Sequence, residues 1–383
     1  MAMVPIPVEG RLSEYLHTKA AVAGIPLNGS FELTPCCNMA CKMCYVRMTQ
    51  AEQAAVAPLK TAGEWIELGR IAQEKGMLYL LLTGGEPFLR RDFQEIFQSL
   101  HALGLILSIN SNGTLIDEET VAWLKQTPPS RMNITLYGAS DETYHRLCGN
   151  PQGFTQATKA IRLLKEAGIS VKLNCSLTPE NASDLEGIVS FAKQEDLILQ
   201  ATGYMFPPVR RDGSMIGTNH RFLPEEAAYF GAKIAQLMNG DEAFLENMKR
   251  GLPPIPGETG DCAEHEGEGI RCRAGKCSFW VTWTGDFLPC GMMPVEAAAN
   301  VFEVGFDKAW EQAKRYAAGI RLPAKCAACD ARDTCKACAA MVYTETGGFA
   351  AVPQYRCAMT AAYPDACKQI ALEIMKIKQE GIE

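Results

Sequence analysis

The stretch TPCCNMACKMCYVRM, Thr34 to Met48, places four cysteines within nine residues. Three of them, Cys37, Cys41 and Cys44, have the spacing C-x3-C-x2-C and directly follow a short strand predicted at Phe31–Thr34. Structural zinc needs four ligands, usually in two separated pairs, and no histidine lies nearby. Closely spaced thiolates on one loop are typical of an iron–sulfur cluster, and three of them leave one iron open. Because catalysis requires an open coordination position, the stretch indicates a catalytic metal centre.

Composition and charge narrow the class of protein. The chain has 383 residues, of which 47% are hydrophobic and 21% charged, as in ordinary soluble proteins. Its length predicts one large domain and a smaller one. The net charge of −7 comes without a basic run, so no nucleic-acid partner is expected. The N-terminus lacks a signal-peptide pattern, and no apolar run reaches the ~18 residues of a membrane span. We therefore expect a cytoplasmic protein without membrane contact, in which the sixteen cysteines serve metal or redox chemistry.

Apolar runs alternate with amphipathic stretches over the first two-thirds of the chain, which predicts six strand–helix units. The predicted strands are Phe31–Thr34, Met77–Gly85, Leu105–Gly113, Met132–Gly138, Ser170–Thr178 and Leu197–Met205. The predicted helices are Thr61–Lys75, Asp92–Gly104, Asp117–Gln126, Gly153–Gly168 and Glu180–Gln194. This alternation predicts an α/β fold with a parallel sheet, either open or closed into a full or partial barrel. In each case the functional loops lie at the carboxyl ends of the strands, where the cysteines, TGGEP (Thr83–Pro87) and SNG (Ser111–Gly113) fall.

The last third of the chain has a different character. A helix is predicted at Pro224–Met238, a linker at Gly251–Gly260, and cysteine density rises from Cys262 onward. Metal cross-links would compensate for the small apolar core of this region. Eight of its cysteines make two sets of four, enough for two fully ligated clusters: Cys272, Cys277, Cys290, Cys326, Cys329, Cys335, Cys338 and Cys357. A zinc ribbon, which separates its pairs by about 15–20 residues, or one incomplete cluster is the alternative.

Together these motifs resemble the radical S-adenosylmethionine (radical SAM) superfamily with its C-terminal SPASM extension. The resemblance implies a partial (β/α)6 TIM-like barrel of the radical SAM type and a small cysteine-rich SPASM domain. The expected divisions are an N-terminal extension at 1–29, the radical SAM core at 30–230, a linker with a bridging helix at 231–261, the SPASM domain at 262–365 and a C-terminal helix at 366–383. One departure from the family pattern is the spacing from Cys335 to Cys338, which has two intervening residues where the family has three.

The resemblance also implies the cofactors, SAM and three [4Fe-4S] clusters. Cys37, Cys41 and Cys44 would hold the cluster that binds SAM. Cys272, Cys277, Cys290 and Cys338 would hold an auxiliary cluster near the active site. Cys326, Cys329, Cys335 and Cys357 would hold an outer one.

Further residues are expected at the SAM site by their match to family motifs. The TGGEP segment contacts the SAM amino group in the family, so Glu86 is expected to accept from that ammonium. The expected cofactor-binding residues are Met43, Thr83, Gly84, Gly85, Glu86, Pro87, Asn110, Ser111, Asn112, Thr135 and Arg146. Cys36, Cys175, Cys262 and Cys367 have no assigned role, whereas Cys148, expected in a loop near the active-site rim, is a candidate catalytic hydrogen donor or substrate ligand.

The function implied by the resemblance is reductive cleavage of SAM and hydrogen abstraction from a peptide or protein, giving a cross-link, a thioether or a similar oxidative modification. The expected electron donor is a low-potential protein of the flavodoxin or ferredoxin type. Gly291 follows Cys290 where formylglycine-forming members carry an acidic residue, which argues against that reaction. The alternatives are a radical SAM dehydrogenase or epimerase for a small molecule, a multi-cluster electron carrier, which TGGEP argues against, and a structural zinc protein.

Overall fold

The computed structural model describes residues 12–253, 269–296 and 298–380. Most of the predicted linker and Cys262 lie outside the described residues. The strands are β1 (Asn28–Glu32), β2 (Tyr79–Thr83), β3 (Ile106–Ser111), β4 (Arg131–Thr135), β5 (Val171–Ser176), β6 (Ile198–Thr202), β7 (Ser278–Val281), β8 (Asp286–Leu288) and β9 (Ala299–Asn300).

Helices surround these strands. They are α1 (Leu12–Ala23), α2 (Gln50–Val56), α3 (Ala62–Glu74), α4 (Phe93–Ala102), α5 (Glu118–Gln126), α6 (Asp141–Cys148), α7 (Gly153–Glu166), α8 (Leu185–Gln194), α9 (Pro224–Asn239), α10 (Asp241–Arg250), α11 (Val301–Val304), α12 (Phe306–Gly319), α13 (Ala324–Ala327), α14 (Arg332–Cys335), α15 (Ala339–Thr346) and α16 (Gln354–Glu380). In the described part of the chain, none is both long and apolar enough to cross a bilayer.

The strands form one sheet in the order β6-β5-β4-β3-β2-β1-β7-β8-β9. Neighbours from β1 to β6 are parallel, which confirms the predicted α/β fold of the radical SAM type. Helices that follow the strands pack their apolar faces on the outside of this wall, as in α7 with Ala160, Ile161 and Leu164. All six strands therefore present their carboxyl ends at the same edge.

The two faces of the sheet differ in character, and this creates the space for a site. In β5, Val171, Leu173 and Cys175 are buried against the helices, whereas the intervening side chains are polar and only half-buried. Parallel strands covered on both faces are usually apolar throughout. The polar inner face therefore borders a cavity rather than a packed core.

The short segment SFWV was not expected in the sheet. It forms β7, which pairs in parallel with β1 from Asn28↔Ser278 to Phe31↔Val281, and β8 and β9 then add antiparallel strands. As a result, the cysteine-rich region is joined to the sheet of the first half of the chain. The C-terminal helix, predicted from residue 366, begins earlier at Gln354 and packs along α9.

Candidate active site

The first cysteine loop leaves the carboxyl end of β1 and is closed at its base. The backbone N–H of Met48 donates to the carbonyl of Pro35 at 2.9 Å. The middle of the loop lies against the end of α6, where the N–H of Ala40 donates to the carbonyl of Cys148 at 2.7 Å. These contacts fix the loop that carries Cys37, Cys41 and Cys44.

TGGEP packs directly on the start of this loop. The N–H of Gly85 donates to the carbonyl of Thr34 at 2.6 Å, and the N–H of Glu86 donates to the carbonyl of Cys36 at 2.9 Å. A Cβ atom added at Gly85 would lie 2.3 Å from the carbonyl oxygen of Cys36. Only glycine permits this approach, so the glycine pair serves the junction between the two loops.

Glu86 ties the same junction to the third strand. It is fully buried and accepts hydrogen bonds from the Ser111 hydroxyl at 2.9 Å, the Asn112 N–H at 2.7 Å and the Phe88 N–H at 3.2 Å. Burial raises the pKa of its carboxyl group to about 7, against the opposing effect of these donors. Glu86 is not among the residues that line the cavity, so its contact to the SAM ammonium stays a prediction.

Asn112 links this network to the thiols. Its side-chain amide donates to the side-chain oxygen Oδ1 of Asn38 at 2.9 Å and to the Cys37 sulfur at 3.6 Å. The N–H of Met39 also donates to the Cys37 sulfur at 3.4 Å, and that of Arg47 donates to the Cys44 sulfur at 3.3 Å. Such donors stabilise sulfur ligands that carry negative charge.

The donor set fits an iron–sulfur cluster. Burial raises the pKa of the Cys37 thiol to about 12 and also raises that of Cys44, while a hydrogen bond with Cys148 is the first cause of the raised pKa of Cys41. Buried thiols ionise when a metal centre supplies the compensating charge. Within the described residues, no three His, Cys, Asp or Glu side chains stand close enough to hold a single metal ion. The three thiols share one cavity wall, as ligands of a larger cluster would.

That cavity has a volume of about 610 Å³ and runs from the cysteine loop along the inner face of the sheet. Its residues from the first cysteine loop and the ends of β2 and β3 are Cys37, Met39, Cys41, Met43, Cys44, Tyr45, Val46, Thr83, Gly84, Gly85, Asn110, Ser111 and Asn112. Thr135, an expected site residue, also lines it. The structure thus brings most of the expected SAM-site residues to a single cavity.

Besides Glu86, three expected residues lie outside the cavity. Arg146 donates to the backbone carbonyl of Glu180 at 2.6 Å and does not line the cavity, so its position gives no support to a SAM contact. Pro87 is buried in a 3-10 turn after the glycines. Cys148, expected in a loop at the rim, is instead the last residue of α6 and is fully buried behind Cys41. The expectation of a rim position was wrong because α6 was not recognised in the sequence.

The late cysteines fall into two groups. Cys272, Cys290 and Cys338 pack around one apolar cluster. Burial raises the pKa of Cys338 to about 12, and the charges of Cys290 and Cys272 contribute to the increase. Cys277 packs instead with Ala20 and Leu27, although the charge of Cys272 still contributes to its raised pKa. Its membership of the inner set stays a prediction.

The outer group consists of Cys326, Cys329, Cys335 and Cys357, whose charges also affect one another. Burial comes first in raising the pKa of Cys326, followed by the charges of Cys357, Cys335 and Cys329. The guanidinium of Arg356 is buried beneath them and donates to the Cys335 carbonyl at 2.9 Å. The division of these eight cysteines between two clusters stays a prediction.

Several residues of the cavity were missed by sequence reasoning. Met292 and Met341 lie two and three residues after Cys290 and Cys338, and they cover the cavity from the cysteine-rich side. The remaining lining residues are Arg131, Asn133, Tyr137, Lys172, Asn174, Cys175, Ser176, Gln200, Thr202, Tyr204, Met205 and Phe206. The period-2 alternation of polar residues in β4 and β5 was the signal that could have identified many of them.

Comparison with known proteins places these features in a family. Residues 31–192 match the model of the Radical SAM superfamily. An AdoMet-dependent heme synthase from Methanosarcina barkeri (strain Fusaro / DSM 804) is 26% identical over 338 residues, which are 86% of this chain and 95% of the relative. The antilisterial bacteriocin subtilosin biosynthesis protein AlbA from Bacillus subtilis (strain 168) is 25% identical over 74% of this chain and 59% of its own length.

Solved structures share the fold well beyond the family match. Streptococcus suis SuiB bound to S-adenosylmethionine superposes with a TM-score of 0.64 at 17% identity, covering 91% of this chain and 84% of SuiB. Native anSMEcpe with bound AdoMet gives a TM-score of 0.64 at 17% identity, covering 91% of this chain and 99% of that one. The predicted recognition is confirmed, and SAM and a [4Fe-4S] cluster are accordingly cofactors. The chain therefore carries a radical SAM domain at residues 31–192, followed by the cysteine-rich region that the resemblance to SPASM members predicts.

Proposed function

We propose that the protein is an oxidoreductase that matures a peptide or protein by abstracting hydrogen from it. When bound, SAM and the cluster supply the radical chemistry that removes hydrogen from an unactivated carbon. Cys37, Cys41 and Cys44 would hold this cluster, and Gly84, Gly85 and Asn112 would line the SAM site. One observation carries the proposal: the thiols, the glycine pair and a polar inner sheet face border the same cavity.

The residues around the cavity have roles in this proposal that follow from their chemistry. Asn112 and the N–H groups of Met39 and Arg47 stabilise the sulfur ligands. Met292 and Met341 exclude water from the side of the cysteine-rich region. Polar side chains such as Asn133 and Asn174 orient the substrate from the inner face of the sheet.

Two auxiliary clusters complete the proposal. The inner one would use Cys272, Cys277, Cys290 and Cys338, and the outer one Cys326, Cys329, Cys335 and Cys357. Such centres can accept the electron that an oxidative modification releases. The mutual effects on thiol pKa within each group support this division. Reduction by a flavodoxin- or ferredoxin-type protein in the cytoplasm would supply the low-potential electron.

The test of the proposal is a product assay on the full chain. The protein is reconstituted with iron and sulfide without oxygen, reduced, and incubated with SAM and each short peptide encoded beside its gene. We expect one peptide to lose two hydrogen atoms in a SAM-dependent manner, as detected by mass spectrometry. SAM cleavage without modification of any such peptide would contradict the peptide assignment.

A small-molecule substrate is the second candidate. The match to the heme synthase spans 95% of that relative, whereas the match to AlbA spans 59% of AlbA. A cavity of about 610 Å³ is also within the range of roughly 300–1,000 Å³ that holds small ligands. Oxidation of a small molecule in the same assay, with no peptide modified, would favour this alternative.

A further inference from the structure

The inner faces of β4 and β5 carry charged side chains at one end of the cavity and neutral polar side chains toward the other. Arg131, Asn133 and Thr135 alternate along β4 and all line the cavity. Lys172 and Asn174 do the same along β5. Because alternate residues of a strand share a face, both charged side chains lie on the inner face, at the amino ends of their strands.

The charge of Arg131 acts on Lys172. Burial lowers the pKa of Lys172, and the neighbouring charge of Arg131 lowers it further. The Lys172 ammonium donates to the side-chain carbonyl of Gln200 on β6. Two like charges are thus held at the base of one cavity, a placement that an anion between them would stabilise.

Within the described residues, no carboxylate pairs with either cation. Among the described residues that line the cavity there is neither Asp nor Glu. Two buried cations elsewhere have such a partner: Arg210 pairs with Glu32 at 2.5 Å, and Arg221 pairs with Glu345 at 2.5 Å. Arg131 is exposed at the edge of the cavity and Lys172 is half-buried. In the described ranges, neither Arg131 nor Lys172 has an ion pair.

We propose that Arg131 and Lys172 form an anion-binding site at the base of the cavity, which takes a carboxylate of the substrate. This inference rests on the proposed function and names the chemistry of its substrate. A guanidinium binds a carboxylate through a planar pair of donors, while an ammonium adds a point charge. The carboxylate belongs either to a peptide side chain or terminus, or to a small organic acid.

The position of the site separates the anchoring group from the reacting one. Four residue steps lie between Arg131 and Thr135, which is roughly 13 Å along the strand. Thr135 lies toward the carboxyl ends of the strands, the edge at which the cysteine loop stands. The carboxylate therefore anchors the substrate at the end opposite the reacting carbon.

Binding of defined probes tests the site. The probes are glutarate, its uncharged diamide, inorganic phosphate, and an acetylated pentapeptide that ends either in a free carboxylate or in an amide. Affinity is measured by ligand-observed NMR on the reconstituted protein and on the variants Arg131→Gln and Lys172→Gln. Arg70→Gln, an exposed residue of α3 paired with Glu67, changes the net charge equally and is the control.

We expect the carboxylate probes to bind at least about tenfold more tightly than their uncharged partners, and each cavity variant to reduce this affinity at least about threefold. Stronger binding of glutarate assigns the carboxylate to a small acid, and stronger binding of the free-carboxylate peptide assigns it to a peptide. Equal binding of charged and uncharged probes by the wild type overturns the inference even if a variant misfolds. Phosphate binding as tight as that of the carboxylates overturns the carboxylate assignment.

A separate measurement distinguishes this inference from the function on which it rests. Wild-type protein is assayed for 5′-deoxyadenosine formed from SAM, without any probe. Cleavage of SAM together with no discrimination between probes overturns the anion site alone. No cleavage of SAM overturns the proposed function, whatever the probes do.

Discussion

Glu86 is a buried carboxylate that joins three loops at the ends of neighbouring strands. Its backbone N–H contacts the cysteine loop at Cys36, while its side chain binds Ser111 and Asn112 at the end of β3. The three donors offset part of the cost of burying the carboxyl group, whose pKa is about 7. Loss of this side chain should therefore disturb the site as well as the fold.

Replacement of Glu86 by alanine tests this role. The variant leaves the donors of Ser111, Asn112 and Phe88 without their acceptor, which should cost at least ~2 kcal/mol of unfolding free energy. SAM affinity, measured by calorimetry on reconstituted protein, should fall at least about tenfold. Glu67→Ala, which removes an exposed partner of Arg70, should change neither quantity appreciably. Unchanged stability and SAM affinity in Glu86→Ala would show that the residue merely forms a turn.

Gly85 provides a second test at the residue scale. In Gly85→Ala the new methyl group would meet the backbone oxygens of Cys36 and Pro35 at 2.3 Å and 2.6 Å, and backbone cannot move aside cheaply. We expect the cysteine loop to shift and the SAM-binding cluster to assemble poorly, as measured by a loss of up to about four irons per chain. Gly63→Ala in α3, where the added atom meets nothing within 4 Å, should leave the iron content unchanged. Equal iron contents in the two variants would refute the close-approach argument.

At the scale of elements, the sequence predicted the six parallel strands because each is an apolar run that ends in glycine or polar residues. β7 was not predicted, because SFWV is only four residues long and joins the sheet through pairing with β1, which is distant in the sequence. α6 escaped notice because its sequence, DETYHRLC, is mostly polar and is defined by its Ser140 N-cap and left-handed Gly149. Cys148 was misplaced for that reason.

In the candidate site, too, features set by local sequence were predicted and features set by long-range pairing were not. Local spacing identified the cysteine loop and TGGEP, since both are continuous in sequence. The cations of the cavity, Arg131 and Lys172, are 41 positions apart in the sequence and lie on adjacent strands, where only the register Asn133↔Lys172 brings them together. Register depends on long-range packing, which a single sequence does not display.

The late cysteines give a test at this scale. Cys338 packs with Cys272 and Cys290, whereas Cys367 is buried on α16 within the main core. Cys338→Ala should lose up to one cluster, roughly four irons, when iron and sulfide are measured after reconstitution. Cys367→Ala should lose none, because a buried free cysteine behaves as a small apolar residue. A loss confined to Cys367→Ala, or equal in the two variants, would mean that the ligands are assigned wrongly.

A buried ion pair links the cysteine-rich region to the first half of the chain. Arg221, which follows β6, binds Glu345 of α15, and the Tyr204 hydroxyl donates to the same carboxylate at 2.7 Å. The Arg221 guanidinium also lies 3.6 Å from the ring centre of Tyr355 on α16. These contacts fix the cysteine-rich region over the cavity.

Replacement of one member of the Arg221–Glu345 pair should lower the free energy of unfolding more than replacement of both. Glu345→Leu leaves the 6% exposed Arg221 side chain without its carboxylate and should cost about 3–5 kcal/mol of unfolding free energy. The double variant Arg221→Met with Glu345→Leu should recover a large part of that loss. Urea unfolding of the reconstituted proteins measures both. An equal loss in the single and double variants would argue against a buried charge as the cause.

The central claim is that the first cysteine loop holds the cluster at which SAM is cleaved. The most direct measurement is the yield of 5′-deoxyadenosine from SAM by dithionite-reduced, anaerobically reconstituted protein. We predict that replacement of Cys37, Cys41 and Cys44 together by alanine abolishes this yield while the iron of the auxiliary clusters remains, and that Cys36→Ala, outside the spacing, retains it. Undiminished 5′-deoxyadenosine from the triple variant would contradict the account.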